Sequence, residues 1–85
     1  MRPVPVTVLL FASYADALGR SELELSLPAG ATVRDAVGRV VSRAPAGAIA
    51  LPRTPLVAVN QEYASYDRAL EAGDEVALIP PVAGG

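Results

Sequence analysis

Eighty-five residues and 8.7 kDa make one small domain, 1–85, because a chain this short cannot build two cores of useful size. Apolar residues at 52% and charged residues at 19% describe a folded chain, not a disordered one. The sequence holds no Cys, His, Trp or Lys, and all seven basic residues are Arg. That excludes disulfides, thiolate or imidazole metal centres, a Ser-His-Asp triad, Schiff-base chemistry and a P-loop, and no metal site is expected. Any catalysis must borrow its chemistry from a partner or use something other than an ordinary side chain.

Charge is uneven. Residues 1–43 carry five Arg against four acids, and residues 44–85 carry two Arg against five acids, for a net charge of −2. Nucleic acid, which needs a basic face, is not an expected partner. The acidic second half suits either a basic partner surface or plain solubility. The apolar runs are too short to span a bilayer, so no membrane association is expected. Met1-Arg2-Pro3-Val4-Pro5 shows no apolar export segment, and the cytoplasm is the expected location.

Val4 to Phe11 is apolar on both alternating sets, which predicts a strand apolar on both faces and central in its sheet, with Pro5 at its start before full pairing. Ser13–Gly19 predicts a short helical turn, Ser13 capping it and Gly19 closing it. Ser21 to Leu27 alternates cleanly, with Leu23, Leu25 and Leu27 inward and Glu22, Glu24 and Ser26 outward. Thr32 to Ala44 predicts the main helix. Val33, Ala36, Val37, Val40, Val41 and Ala44 form one stripe, Thr32 and Asp35 make a capping-box pair, and Pro45 stops it. Gly38 and a Val-rich stripe give modest intrinsic propensity, so packing on a sheet must hold this helix.

Residues 45–55 read as a Pro-rich loop with one short helical turn. Leu56–Val59 predicts a strand, Asn60-Gln61-Glu62 a tight connection, and Tyr63-Ala64 a short return strand. Turns follow near Asp67–Leu70 and at Ala72-Gly73-Asp74. Glu75–Ile79 predicts the last strand, which Pro80-Pro81 must end for want of ladder donors. Two strands, one crossing helix and three further strands make an α+β roll, a single sheet with the helix on one face. Tyr63 and Tyr66 are expected to pack.

Pro80-Pro81-Val82-Ala83-Gly84-Gly85 closes the sequence. A stiff Pro-Pro stem and two residues without a Cβ suit a slim end that presents its α-carboxylate in a narrow channel. A frayed terminus is the plain alternative. The strand order with a terminal Gly-Gly resembles ubiquitin-like β-grasp proteins, and in detail the small subunit of molybdopterin synthase, a sulfur carrier. The likeness rests on Gly73-Asp74-Glu75-Val76-Ala77-Leu78-Ile79-Pro80-Pro81-Val82-Ala83-Gly84-Gly85, on Val59-Asn60-Gln61, and on Phe11-Ala12 through Leu18-Gly19. Ala15-Asp16 stands where that family often has Arg-Glu, and Leu78-Ile79 where it is often aromatic.

That resemblance implies a mixed sheet of about five strands and a role for the chain's own end. Gly85 would be adenylated and converted to a thiocarboxylate, with Gly84 keeping the fit to a channel. Pro80, Pro81, Val82 and Ala83 would set its reach and angle. Apart from the resemblance, Phe11, Leu78 and Ile79 are candidates for an apolar docking patch, with Asp74 and Glu75 as a charged rim, although alternation turns one of Leu78 and Ile79 into the core. Implied partners are a ubiquitin-activating-like adenylyltransferase, which uses ATP while this chain binds no cofactor, and the synthase large subunit in a two-plus-two heterotetramer. Sulfur would pass to cyclic pyranopterin monophosphate to form the molybdopterin dithiolene. A carrier for thiamine or tRNA thiolation and a ubiquitin-like protein modifier remain open alternatives.

Overall fold

The computed structural model describes residues 2–43 and 55–80. Strand β1, Val4–Leu10, buries Val6, Val8 and Leu10 on one face. Its Leu10 N–H donates to the Ser21 carbonyl at 2.8 Å, while its Thr7 N–H donates to the Asp74 carbonyl at 3.0 Å on the other side. Donors alternate along a strand, so Pro5 aims its missing N–H toward the second neighbour, at a level where that ladder has not begun. Pro5 is thus tolerated inside a strand because its gap falls where no partner waits. Its carbonyl still accepts the Gly73 N–H at 2.8 Å.

Helix α1, Ser13–Leu18, follows at once. Ser13 was expected to cap it, but Ala12 occupies that place, at φ 49° and ψ −121°. The chain bends back through this positive-φ residue, and the Phe11 carbonyl takes the Tyr14 N–H at 3.1 Å. Gly19, left-handed at φ 69°, closes the helix as its sequence position predicts. Strand β2, Glu22–Leu27, keeps the predicted alternation, with all three leucines buried.

Helix α2, Val33–Ser42, buries Val33, Ala36, Val37 and Val40 against the sheet. The Asp35 carboxylate accepts the Thr32 backbone N–H at 2.8 Å. The next orphan donors are taken by backbone that the sequence does not advertise. Val33 and Arg34 donate to the carbonyls of Arg68 and Tyr66, both at 3.0 Å, and Thr32 and Ala69 form an isolated bridge. The connection read from sequence as mere turns is therefore a cap for the main helix. Arg34 adds an ion pair with Asp67 at 2.9 Å and lies 5.7 Å from the Tyr66 ring centre. Both partners of that pair are exposed, so it contributes little, below about 1 kcal/mol. The helical turn expected within 45–55 and the stripe residue Ala44 lie outside the described residues.

Strands β3, Leu56–Val59, and β4, Glu62–Tyr63, form a hairpin whose loop is Asn60-Gln61, at φ 51° and 72°. Two successive positive φ values give the turn whose twist matches the strands. Strand β5, Glu75–Ile79, completes one sheet in the order β2-β1-β5-β3-β4. β1 and β5 run parallel and the other pairs are antiparallel, so the sheet is mixed, as expected. β1 is interior, although β5 holds the centre. Tyr14 from α1 and Leu70 from the capping connection complete the core between sheet and helix.

Candidate functional site

Parallel pairing brings the ends of β1 and β5 to the same edge of the molecule. Leu10 stands opposite Leu78, so Phe11 and Ile79 leave their strands side by side. β3 runs the other way and starts there, with Leu56 opposite Ile79. α2 also runs toward this end, because β2 finishes opposite Val4, at the far end, before the helix begins. The last strand therefore ends at a rim made by Phe11, Leu56 and the last turn of α2. Pro80, half-buried, is the last described residue of that stem.

Alternation sorts the candidate docking residues. Leu78 is fully buried, and its neighbours across the sheet, Leu10 and Val57, face the helix with it. The expectation that Leu78 meets a partner is corrected: it is a core residue. Ile79, one residue on, points to the uncovered face and is half-buried. Phe11 is 47% exposed and Leu56 50% exposed, flanking it. Leu9, Ala77, Ala58 and Tyr63 lie in one cross-strand row of the same face. Tyr63 is 77% exposed, so the expectation that it packs fails, whereas Tyr66 is half-buried and donates its hydroxyl to the Pro55 carbonyl at 2.7 Å. Leu56 and Tyr63 belong to this exposed face, although the sequence did not single them out. The alternation Leu56-Val57-Ala58-Val59 carried the signal, since burying both valines turns Leu56 outward.

The charged rim is also corrected. Asp74 precedes β5, at the opposite end from the exit, and is 9% exposed. Its carboxylate accepts the Glu71 backbone N–H at 2.8 Å and the Asn60 amide at 3.0 Å. The Glu71 hydrogen bond, followed by that of Asn60, holds its carboxyl below the ordinary carboxylate range against the opposing effect of burial. Glu75 is half-buried and begins β5 beside it. Neither acid can rim a site four or five residues away along a strand.

On the helix side of the exit end lies a shallow cleft of about 340 Å³, lined by Leu18, Arg20, Leu23 and Arg43. Among the described residues no cluster of acids could hold a metal ion. Among them, too, no helix is long and apolar enough to cross a membrane. Pro81, Val82, Ala83, Gly84 and Gly85 lie outside the described residues.

A mixed sheet with parallel first and last strands at its heart, one long helix across it, and a chain end leaving from the central strand defines a ubiquitin-like β-grasp protein. The chain belongs to the ThiS family, whose model matches residues 8–85. It is 37% identical over 82 residues to a molybdopterin synthase sulfur carrier subunit of Chlamydomonas reinhardtii, covering 94% of this chain and 98% of that one. Among solved structures it is similar to a putative molybdopterin converting factor, subunit 1, from Pyrococcus furiosus, with TM-score 0.78 and 34% identity, covering 93% of this chain and 99% of that one. It is also similar to SAMP1 from Haloferax volcanii, with TM-score 0.76 and 31% identity, over 95% of this chain and 99% of the other.

Proposed function

We propose that this chain is the sulfur carrier subunit of a molybdopterin synthase and that Gly85 carries the sulfur. The observation that supports this most is near-full-length similarity to sulfur carrier subunits in a chain ending in Gly84-Gly85. The fold adds a reason: the last strand delivers its end beside an exposed apolar face.

A carboxylate resists attack, because its charge repels nucleophiles and oxide is a poor leaving group. One Gly85 oxygen attacks the α-phosphorus of ATP on an adenylyltransferase partner, and pyrophosphate leaves. Hydrosulfide from a sulfur donor then attacks the acyl carbon, the bond to AMP breaks, a proton is released, and a thiocarboxylate results. This chain has no phosphate loop of the P-loop type and no Lys, so the nucleotide chemistry belongs to the partner. The loaded end then enters the synthase large subunit and gives its sulfur to cyclic pyranopterin monophosphate. Phe11, Leu56 and Ile79 dock the carrier on that subunit, Pro80, Pro81, Val82 and Ala83 set the reach, and Gly84 passes the channel.

One second reading has an observation behind it. SAMP1 of Haloferax volcanii is a small archaeal modifier protein, which favours transfer of Gly85 to amines of other proteins. Intact mass after incubation with ATP, a sulfur source and the host's adenylyltransferase separates the two. Sulfur in place of one oxygen at Gly85 supports the carrier. Covalent adducts on other proteins, without that change, support the modifier.

A further inference from the structure

A sheet edge leaves backbone hydrogen-bonding groups over, and this sheet ends in β2 on one side and β4 on the other. β4 is only Glu62–Tyr63, too short to hold another strand. β2 is six residues long, with an unbroken register against β1 and no proline. We propose that the outer edge of β2 takes an extended segment of a partner protein as a sixth strand. That segment is basic on the uncovered face of the sheet and acidic on the helix face. This docking does not depend on the chemistry of Gly85.

The register decides which backbone groups are free. The Leu10 N–H donates to the Ser21 carbonyl at 2.8 Å, which makes Leu10 and Ser21 a hydrogen-bonded pair. Such pairs recur at every second position, so Val8 with Leu23, Val6 with Leu25 and Val4 with Leu27 are the next ones. The N–H and C=O groups of Glu22, Glu24 and Ser26 therefore point away from β1, and no described residue pairs with them. The side chains of these three residues are exposed on the uncovered face. Donors and acceptors aligned over about 14 Å form a template for one more strand.

Charge selects the occupant. Antiparallel self-pairing centred on Glu24 would set that residue opposite its own counterpart, and like charges directly opposite disfavour a second copy. A strand with Lys or Arg opposite Glu22 and Glu24 is attracted instead. On the helix face the sign reverses. A residue opposite Leu23 shares the face of Leu23, where the cleft is lined by Leu18, Arg20, Leu23 and Arg43. Both arginines are exposed, and neither forms an ion pair among the described residues. An acidic side chain at that place meets two guanidinium groups beside an apolar floor. Basic residues outward and an acid inward thus fix both the face and the register of the added strand.

The test titrates the isotope-labelled full chain with a capped synthetic peptide, Val-Thr-Val-Lys-Glu-Lys, followed by amide NMR. Run antiparallel, its two Lys stand opposite Glu24 and Glu22 and its Glu opposite Leu23. The amide signals of Glu22, Glu24 and Ser26 should shift, and their hydrogen exchange should slow. The double variant E22K/E24K, shown to be folded by an unchanged thermal midpoint, should bind at least about fivefold more weakly. Exchanging the peptide's Glu for Lys should weaken binding to the wild-type chain as well. A peptide N-methylated at its Thr and both Lys keeps every charge but loses the donors that face β2, and it should not bind. Equal binding by that peptide would overturn the proposal, because charge alone would then account for the attraction. No shift at these amides up to millimolar peptide, or shifts confined to the face around Phe11 and Leu56, would overturn it too. Shifts at the same amides on raising the chain's own concentration would make the occupant a second copy and would also contradict it.

Discussion

The Asn60 amide donates to the Asp74 carboxylate at 3.0 Å, and the Asn60 carbonyl oxygen accepts the Glu75 backbone N–H at 3.0 Å. One side chain in the β3–β4 hairpin loop thereby fixes where the central strand begins. Asn60 also donates its own backbone N–H to the Glu75 carbonyl at 2.8 Å. The register of β5 against β3, and so the facing of Ile79 at its far end, is set from this corner.

Asn60→Ala should leave the Asp74 carboxylate short of a donor and cost about 1–3 kcal/mol in urea unfolding. Asp74→Ala should cost a similar amount, and the double variant less than the two together, because they share one network. The sign with pH follows from the direction of the shift. Asp74 is held below the ordinary carboxylate value, so its contribution is complete above roughly pH 4 and is lost as pH falls further, through the folded value. Asp74→Asn should flatten the acid limb of the stability profile.

Tyr14 is fully buried, and burial, with nearby Tyr66 adding to it, pushes its hydroxyl up to about 12 from 10.0. The folded state therefore keeps a proton that the unfolded chain has released. Stability should be unaffected by Tyr14 below pH 10 and fall between pH 10 and about 12, by up to about 1.4 kcal/mol per pH unit. Tyr14→Phe should remove most of that alkaline slope. A smaller one remains from Tyr66, which burial raises while Arg34 opposes the rise.

Two backbone positions should yield stability when changed. A Cβ at Gly38 meets nothing within 4 Å, on the exposed side of α2, so Gly38→Ala should gain about 1 kcal/mol. Ala12 holds φ 49° and ψ −121°, a conformation suited to glycine, so Ala12→Gly should gain a comparable amount, ~1 kcal/mol. Each should raise the thermal midpoint by roughly 4–8 °C.

Neighbouring residues on β5 should separate folding from docking. Leu78→Ala removes a buried side chain and should cost about 2–5 kcal/mol. Ile79→Asp and Phe11→Asp alter the uncovered face and should leave unfolding within about 1 kcal/mol of wild type. Both should weaken association with the large subunit at least tenfold by titration calorimetry, the loss expected when a charge is buried in an apolar contact.

The sheet, the main helix and the β-grasp order were legible because alternation in Leu23-Glu24-Leu25 and the stripe through Val33, Ala36, Val37 and Val40 are local patterns. Facing along a continuously apolar strand was not. Leu78 and Ile79 carry the same hydrophobic message, and only pairing with Leu10 and Val57 decides which turns inward. The cap at Ala12 was hidden because Ser13 looks better suited and backbone curvature overrode side-chain preference. The Asn60–Asp74 contact joins residues fourteen apart, and the backbone cap on α2 joins 33 to 68; neither spacing leaves a trace in sequence. The proposal that the chain's end carries sulfur rests on resemblance, through the run from Gly73 to Gly85.

The most direct test of the central claim is the intact mass of the chain isolated from its host, compared with a chain lacking Gly85. A population with one sulfur in place of one oxygen at Gly85, absent from the truncated chain while that chain keeps its thermal midpoint, is the predicted result. A truncated chain that still supports cofactor synthesis, or a full chain that never acquires sulfur beside an active partner, would contradict it.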